Sequence, residues 1–442
     1  MIPKNKGLLR QYLSYAFATV SSLLVYSLYS MVDGLFIARG VNEYAMSAVN
    51  LVLPYTNVLF SISVLFAVGT STLIAIFLGQ GKTEEAKRLF SQNTFVLLII
   101  GITLTVCVLV FSGRIVRLLG ADERTYDYAK EYLTGIAPFS VFFIVSYNME
   151  VLIKTDGFPH KAFRTVTAGC ICNCALDYLA IFVLDMGVFG AALATGLSQL
   201  FVCLIYFCHF LFGKSAFRLV RFKFDRHIYR RLLPLGFSDA ITEICTGIMI
   251  FVFNRTVLKK LGTDGLVSYT IIAYVNTLVI NTLIGASAGA QPLISFHHGR
   301  KEEDTCRRLL RYVLYAAACL ETVIFVCIEF GGEAIVRVYL KGAEGAALAS
   351  SAHALRIYGV SYLLLGFNVA VAGYMTAREH PFNALSITAG RGLILQCAAL
   401  ALLCRFGNAD LIWLAPTVSE SVCPLTALIL LRSAHKKHSS AI

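Results

Sequence analysis

Along the chain, long apolar stretches alternate with short polar breaks in which basic residues dominate. Twelve such stretches recur, at approximately 11–38, 46–78, 93–111, 132–153, 165–184, 190–212, 233–257, 266–297, 312–330, 352–376, 383–404 and 410–431. Each is long enough to cross a hydrocarbon layer of about 30 Å as a helix rising about 1.5 Å per residue. With no water to serve the backbone in lipid, helices are the form these stretches take. The first follows Lys4, Lys6 and Arg10 and runs to about Ile37. It is too long for the apolar part of a signal peptide and lacks a small-residue cleavage site, so a retained span is expected. The pattern predicts an all-α polytopic membrane protein with twelve transmembrane helices.

Composition removes the competing classes. Of 442 residues, 57% are hydrophobic and 14% charged, against about 25% charged in an ordinary soluble domain. Mean hydropathy is +0.71. A soluble protein of this length needs more charge than that to cover its surface. The 31 Phe and 21 Tyr exclude a disordered chain. A net charge of +12 raises the question of nucleic acid, but no basic helix with interleaved stacking aromatics is present. The basic residues sit in short loops instead. On the side of the two termini the loops carry 25 Lys and Arg, against 11 on the other side. By the positive-inside bias both termini are cytoplasmic, in a bacterial inner (plasma) membrane. The 13 Cys are an odd number and lie mostly inside spans, as small buried hydrophobes. Cys170, Cys172 and Cys174 share one span, but helix neighbours two apart point about 200° apart and do not converge on a metal.

The chain is also internally repeated. Gly81-Lys82-Thr83-Glu84-Glu85 after span two is echoed by Gly299-Arg300-Lys301-Glu302-Glu303 after span eight. Pro159 and Ala162 are echoed by Pro381 and Ala384, and Ala194-Thr195 by Pro416-Thr417. The near-constant offset predicts a duplicated six-helix unit: a lobe over 1–212, a basic cytoplasmic linker over 213–232, and a lobe over 233–442. Because each unit has an even number of spans, the two repeat in the same orientation. They are expected to be related by a pseudo-two-fold along the membrane normal, with a site between them.

Ionisable groups at membrane depth are expensive, which makes each a site candidate. Asp33 lies late in span one, and Asn148 lies in span four. Asn173 and Asp177 stand four apart in span five, one above the other on a single helix face. Together these residues offer two carboxylates and two amide oxygens, hard donors suited to a small cation or a proton. The alternative for Asp33 is an interfacial pair with Arg39. Glu243, four residues after a solvated Asp239, is a second-lobe candidate. Glu150 and Lys154 are spaced for a helix ion pair. Arg391 in span eleven is left to pair with Glu420 or Glu321. Aromatics such as Tyr26, Tyr29, Tyr147, Phe237 and Tyr269 either stack on a cationic ligand or pack. Small-residue runs such as Gly69-Thr70-Ser71 and Gly285 to Gly289 let helices approach closely.

These residues resemble the multidrug and toxic compound extrusion (MATE) transporters. The matching stretches are Met31-Val32-Asp33-Gly34-Leu35-Phe36-Ile37 with Ala45 to Pro54, then Gly69 to Arg88. Asn173-x-x-x-Asp177 leading to Gly187 through Thr195 follows, and Gln291-Pro292-Leu293-Ile294 leading to His298-Gly299 in the second half. The resemblance implies two six-helix lobes around a V-shaped cavity and export of organic compounds in exchange for Na⁺ or H⁺. It favours the DinF-like branch, whose first-lobe cation site is matched by Asp33, Asn148, Asn173 and Asp177, with Na⁺ held by Asp33, Asn173 and Asp177. The NorM-like branch places acids in helices seven and ten. Glu243 matches the first, whereas span ten (352–376) has no Asp or Glu. Some members bend helix one at a proline; this chain has none between Pro3 and Pro54. Glu243, Arg391, Tyr147, Tyr269 and Gln291 are the candidates for a second-lobe site or substrate cavity.

The expected function is therefore a secondary antiporter for cationic or amphipathic xenobiotics, working as a monomer among membrane lipids. It needs no cofactor beyond the coupling Na⁺ or H⁺, binds no nucleic acid and is not an enzyme. A lipid-linked saccharide flippase of the same superfamily is the alternative, with Arg391, Arg356 and Arg255 as its basic residues. A membrane-embedded transferase needs a clustered His/Asp site, and the one His pair, His297-His298, has no such acidic arrangement in the sequence. No phosphate-binding loop for ATP is present.

Overall fold

The computed structural model describes residues 7–41, 43–339, 346–405 and 409–439. Lys4, Lys6 and Lys341, which entered the loop-charge count, lie outside the described residues. No strand occurs among those described. The first unit comprises residues 21–236. It holds most of α1 (Leu8–Gly40), then α2 (Glu43–Gly79) and α3 (Thr83–Leu118). Next, α4 (Tyr126–Ile136) passes through a 3-10 turn at Ala137–Phe139 into α5 (Ser140–Thr155). Helix α6 (Pro159–Tyr178) ends in a π turn, Leu179–Val183, before α7 (Gly187–Phe212). The second unit takes residues 7–20 of α1 and everything from Phe237 on. Its elements are the rest of α8 (Tyr229–Gly299), α9 (Glu303–Tyr339), α10 (Ala346–Gly359), α11 (Tyr362–Ala377), α12 (Pro381–Ala389), α13 (Leu395–Leu403) and α14 (Ala415–Ser439). A π turn at Gly390–Ile394 links α12 to α13.

Eleven helical segments among the described residues are long and apolar enough to span a membrane. One of them, Arg226–Gly299, runs 74 residues, far more than the roughly 20 that a bilayer needs. It bends at Gly262, whose φ of 69° and ψ of −159° no helix contains and which glycine adopts without a Cβ penalty. Two spans result, and the total is twelve, as the hydrophobic pattern predicts.

Duplication is legible in the helix ends. After α2, the Gly81 amide donates to the Leu78 carbonyl at 3.2 Å and the Lys82 amide to Phe77 at 2.8 Å. After α8, the Lys301 amide donates to His298 at 2.9 Å and Glu302 to His297 at 3.0 Å. Both are the paired bonds of a left-handed helix stop, with φ 79° at Gly81 and 62° at Lys301. The ends of α5 and α11 repeat the match, with Gly157 at φ 97° and Glu379 at φ 61°. Starts correspond as well. Acidic residues open α3 (Glu84, Glu85) and α9 (Glu303, Asp304), where they complement the positive end of the helix dipole. Pro159 and Pro381 occupy the first turns of α6 and α12, where the missing amide costs nothing.

Each unit has its own apolar core. Leu59, Leu73, Phe90, Leu133, Ile153, Tyr206 and Phe210 belong to the first, and Phe253, Tyr269, Leu355, Tyr362 and Trp413 to the second. Aromatic pairs lock both: Phe90 lies 4.7 Å from Phe210, and Tyr269 stacks on Phe253 at 5.1 Å. Many other large apolar side chains, among them Phe17, Phe212, Phe330 and Ile429, face outward. Such a surface is the one expected where lipid is the solvent.

Candidate cation site

Helices α1 and α6 bring the carboxyl groups of Asp33 and Asp177 against one another. Asp177 is fully buried and Asp33 half-buried. Oδ1 of Asp33 and both carboxylate oxygens of Asp177 are buried without a hydrogen-bond donor. Four residues earlier on the same face of α6, Asn173 is 1% exposed. Its Nδ2 donates to Thr195 Oγ1 on α7 at 3.4 Å, and its Oδ1 is buried without a donor. These are acceptor atoms with nothing to accept from. Leaving a buried acceptor unmatched costs about 1–3 kcal/mol, more when it is charged. A proton or a small cation is the species that satisfies such a set.

The surroundings are polar for one stretch of the unit. The phenols of Tyr29 on α1 and Tyr132 on α4 interact electrostatically with both carboxylates. Beside Asn173 a small cavity, walled in part by Tyr26, Tyr29, Ser198 and Gln199, has room for about one water-sized species. Tyr26 bonds Gln199, whose Oε1 accepts from Ser146 Oγ at 2.9 Å. Tyr26 also feels Glu150. Glu150 pairs with Lys154 at 2.7 Å, with both side chains below a tenth exposed, as their spacing predicts.

Asn148 lies on α5. It is 1% exposed, and its Oδ1 accepts from Asn93 Nδ2 at 3.4 Å, joining α5 to α3. Glu243 is exposed on α8. Four residues before it, Asp239 is half-buried with Oδ2 fully buried, which corrects the expectation of a solvated carboxylate there. Tyr147 packs edge-on against Phe60 at 5.0 Å. Tyr269 is 4% exposed between Phe253 and Trp413, a packing position. Gln291 is half-buried near Gly373 and Ser287. Arg391 is 6% exposed and takes Glu420, at 3.1 Å, as its partner.

The MatE family description matches residues 18–179 and 239–396, most of the chain, in two blocks that begin at repeat-equivalent positions. The chain belongs to the MatE family. Multidrug export protein MepA of Staphylococcus saprophyticus subsp. saprophyticus is 23% identical over 415 residues, covering 92% of this chain and 91% of that protein. MepA of Staphylococcus haemolyticus is 24% identical over 420 residues, covering 93% and 91%. A solved structure described as the outward-facing conformation of a multidrug resistance MATE family transporter of the MOP superfamily superposes with a TM-score of 0.92. That match covers 99% of this chain and 100% of the other at 21% identity, so the two share the fold. The MATE resemblance read from the sequence is thereby met at the level of the family.

Within this MatE-family chain, sequence reasoning missed Tyr132, Ser198, Gln199 and Asn93. Thr195 was quoted only as part of a motif. Tyr132 is one of 21 Tyr in the chain, next to Glu131 and four residues after Tyr128, a setting that does not set it apart from its neighbours. Its signal was its place at the start of the span that carries Asn148, and only packing reveals that it turns toward the acids.

Proposed function

We propose that this chain is a cation-coupled exporter, an antiporter that moves organic cationic or amphipathic compounds out of the cell in exchange for H⁺ or Na⁺. The names of the MepA relatives support multidrug efflux. The observation that carries the coupling is the donor-free oxygen set of Asp33, Asp177 and Asn173. Two facing carboxylates at membrane depth do not both stay charged without a positive partner. A proton or Na⁺ entering from outside binds there and favours one of the two access states, and substrate release is linked to that binding. Asp33 and Asp177 hold the ion, and Asn173 adds an amide oxygen. This placement favours the DinF-like branch. The excess of Lys and Arg on one side supports cytoplasmic termini in a plasma membrane.

The flippase reading rests on free positive charge in the spans. Arg391 does not supply it, since Glu420 neutralises it, which leaves Arg356 and Arg255 to carry that reading. The deciding experiment is dye efflux from proteoliposomes under imposed Na⁺ or H⁺ gradients, with lipid-linked saccharide translocation as the control. Gradient-driven efflux supports the reading. Saccharide translocation without efflux overturns it.

A further inference from the structure

The second unit contains its own cluster of ionisable groups, which the acid pair of the first unit does not involve. Glu321 on α9, Asn368 on α11, Arg391 in the π turn and Glu420 on α14 are 5%, 0%, 6% and 7% exposed. Glu420 is fully served: Arg391 Nη1 donates to Oε1 at 3.1 Å and Asn368 Nδ2 to Oε2 at 2.6 Å. Ser419 Oγ donates to the Arg391 carbonyl at 2.7 Å, which ties the π turn to α14. Such turns inside helices are frequent at functional positions.

Glu321 is served differently. It accepts from the backbone amides of Gly366 and Phe367 and has no basic partner among the described residues. Position 366 admits the carboxylate because it lacks a Cβ, which would collide with the Glu321 carboxyl and Ala317. Glu321 and Glu420 repel one another. Among the described residues the other titratable groups facing the cluster are Tyr358, Cys423 and Cys245, all neutral in their ordinary forms. Two carboxylates and one guanidinium therefore leave one negative charge uncompensated. Arg391 Nε and Asn368 Oδ1 are buried there without partners.

We propose that Glu321 is a reversible proton-binding site of the second unit, with Arg391 acting as the fixed countercharge of Glu420. Protonation brings the cluster to neutrality at membrane depth, and the two backbone amides stabilise the carboxylate once the proton leaves. Among the described residues no group of three or more His, Cys, Asp or Glu is placed to hold a metal ion, which suits a proton at Glu321 better than a metal cation. The proposal deepens the cation-coupled reading by adding a second titrating site.

The test is infrared difference spectroscopy of the purified full chain in nanodiscs, following the carbonyl stretch of protonated carboxyl groups between acid and alkaline pH. Glu321→Gln is expected to remove one band that Asp33→Asn and Asp177→Asn both leave in place. In Glu420→Gln the repulsion that Glu420 exerts on Glu321 is gone, so that band gives way at a lower pH than in the wild type. Arg391→Met leaves two uncompensated acids, and a second band appears. The last two variants carry the test if Glu321→Gln does not fold. The proposal is overturned if Glu321→Gln leaves every band unchanged, if Glu420→Gln leaves the pH range of the Glu321 band where it is in the wild type, or if Na⁺ at fixed pH erases it. Failure of the exporter reading shows separately, as efflux unaffected by Asp33→Asn and Asp177→Asn.

Discussion

The two units share helix order and helix stops, yet they treat buried charge in opposite ways. In the first, Asp33 and Asp177 face one another, and the oxygens of Asp177 and Asn173 are left without donors. In the second, Glu420 is answered within the protein by Arg391 and Asn368. One fold can thus carry an open acceptor set in one copy and, in the other, an acid paired with arginine that has a second acid, Glu321, beside it. The difference lies in single residues on α6, the π turn and α14, not in architecture. An open set invites an exchangeable ion, whereas a closed pair such as Arg391 and Glu420 mainly specifies packing.

Substitutions sharpen this contrast because they carry opposite signs. The largest effect is expected from Arg391→Met, which strands Glu420 in the core and costs about 3–5 kcal/mol. Thermal unfolding in detergent would show a clear drop in Tm. Arg391→Met combined with Glu420→Met should recover much of it, with a coupling energy of about 0.5–3 kcal/mol. Equal losses in the single and double variants would break the comparison.

In the first unit the same kind of change should stabilise. Asp177→Asn gives Asp33 a donor and removes an unmatched charge, a gain of about 1–3 kcal/mol. The gain should be greatest at alkaline pH without Na⁺. It should shrink as pH falls, since a proton then neutralises the wild-type pair. A fall in Tm at alkaline pH would show that Asp177 is satisfied in a way its buried oxygens do not suggest.

Smaller effects test the duplicated helix stops. Lys301 holds a left-handed φ of 62° where its repeat partner is Gly81. Lys301→Gly should be neutral to stabilising, and Gly81→Ala should cost about 1 kcal/mol, both read as shifts in Tm. Smallest of all is Lys87→Ala. Its partner Glu84 is solvent-exposed, and no measurable change in Tm is expected.

The sequence carried the architecture well because lipid imposes a strong rule: a span must be apolar, helical and about 20 residues long. The boundary between spans seven and eight was readable from the polar break around Gly262, although the helix runs almost unbroken across it. The site was readable in part. Spacing placed Asn173 and Asp177 on one face, and Glu150 with Lys154 one turn apart, because helix geometry alone decides both. Contacts between helices were not readable. Nothing in the spacing distinguished Glu420 from Glu321 as the partner of Arg391, turned Asn148 toward Asn93, or set Tyr132 beside the acids. The buried Oδ2 of Asp239 was missed for the same reason: depth along a helix does not say which neighbour covers a face.

The central claim, that the acid pair of the first unit couples an ion to transport, is tested most directly by efflux from proteoliposomes under an imposed H⁺ or Na⁺ gradient. Wild type is compared with Asp33→Asn and Asp177→Asn, with folding checked by Tm. Each variant should lose gradient-driven efflux by about tenfold or more, within the usual range of coupling energies. Driven efflux left unchanged in both variants would contradict the account.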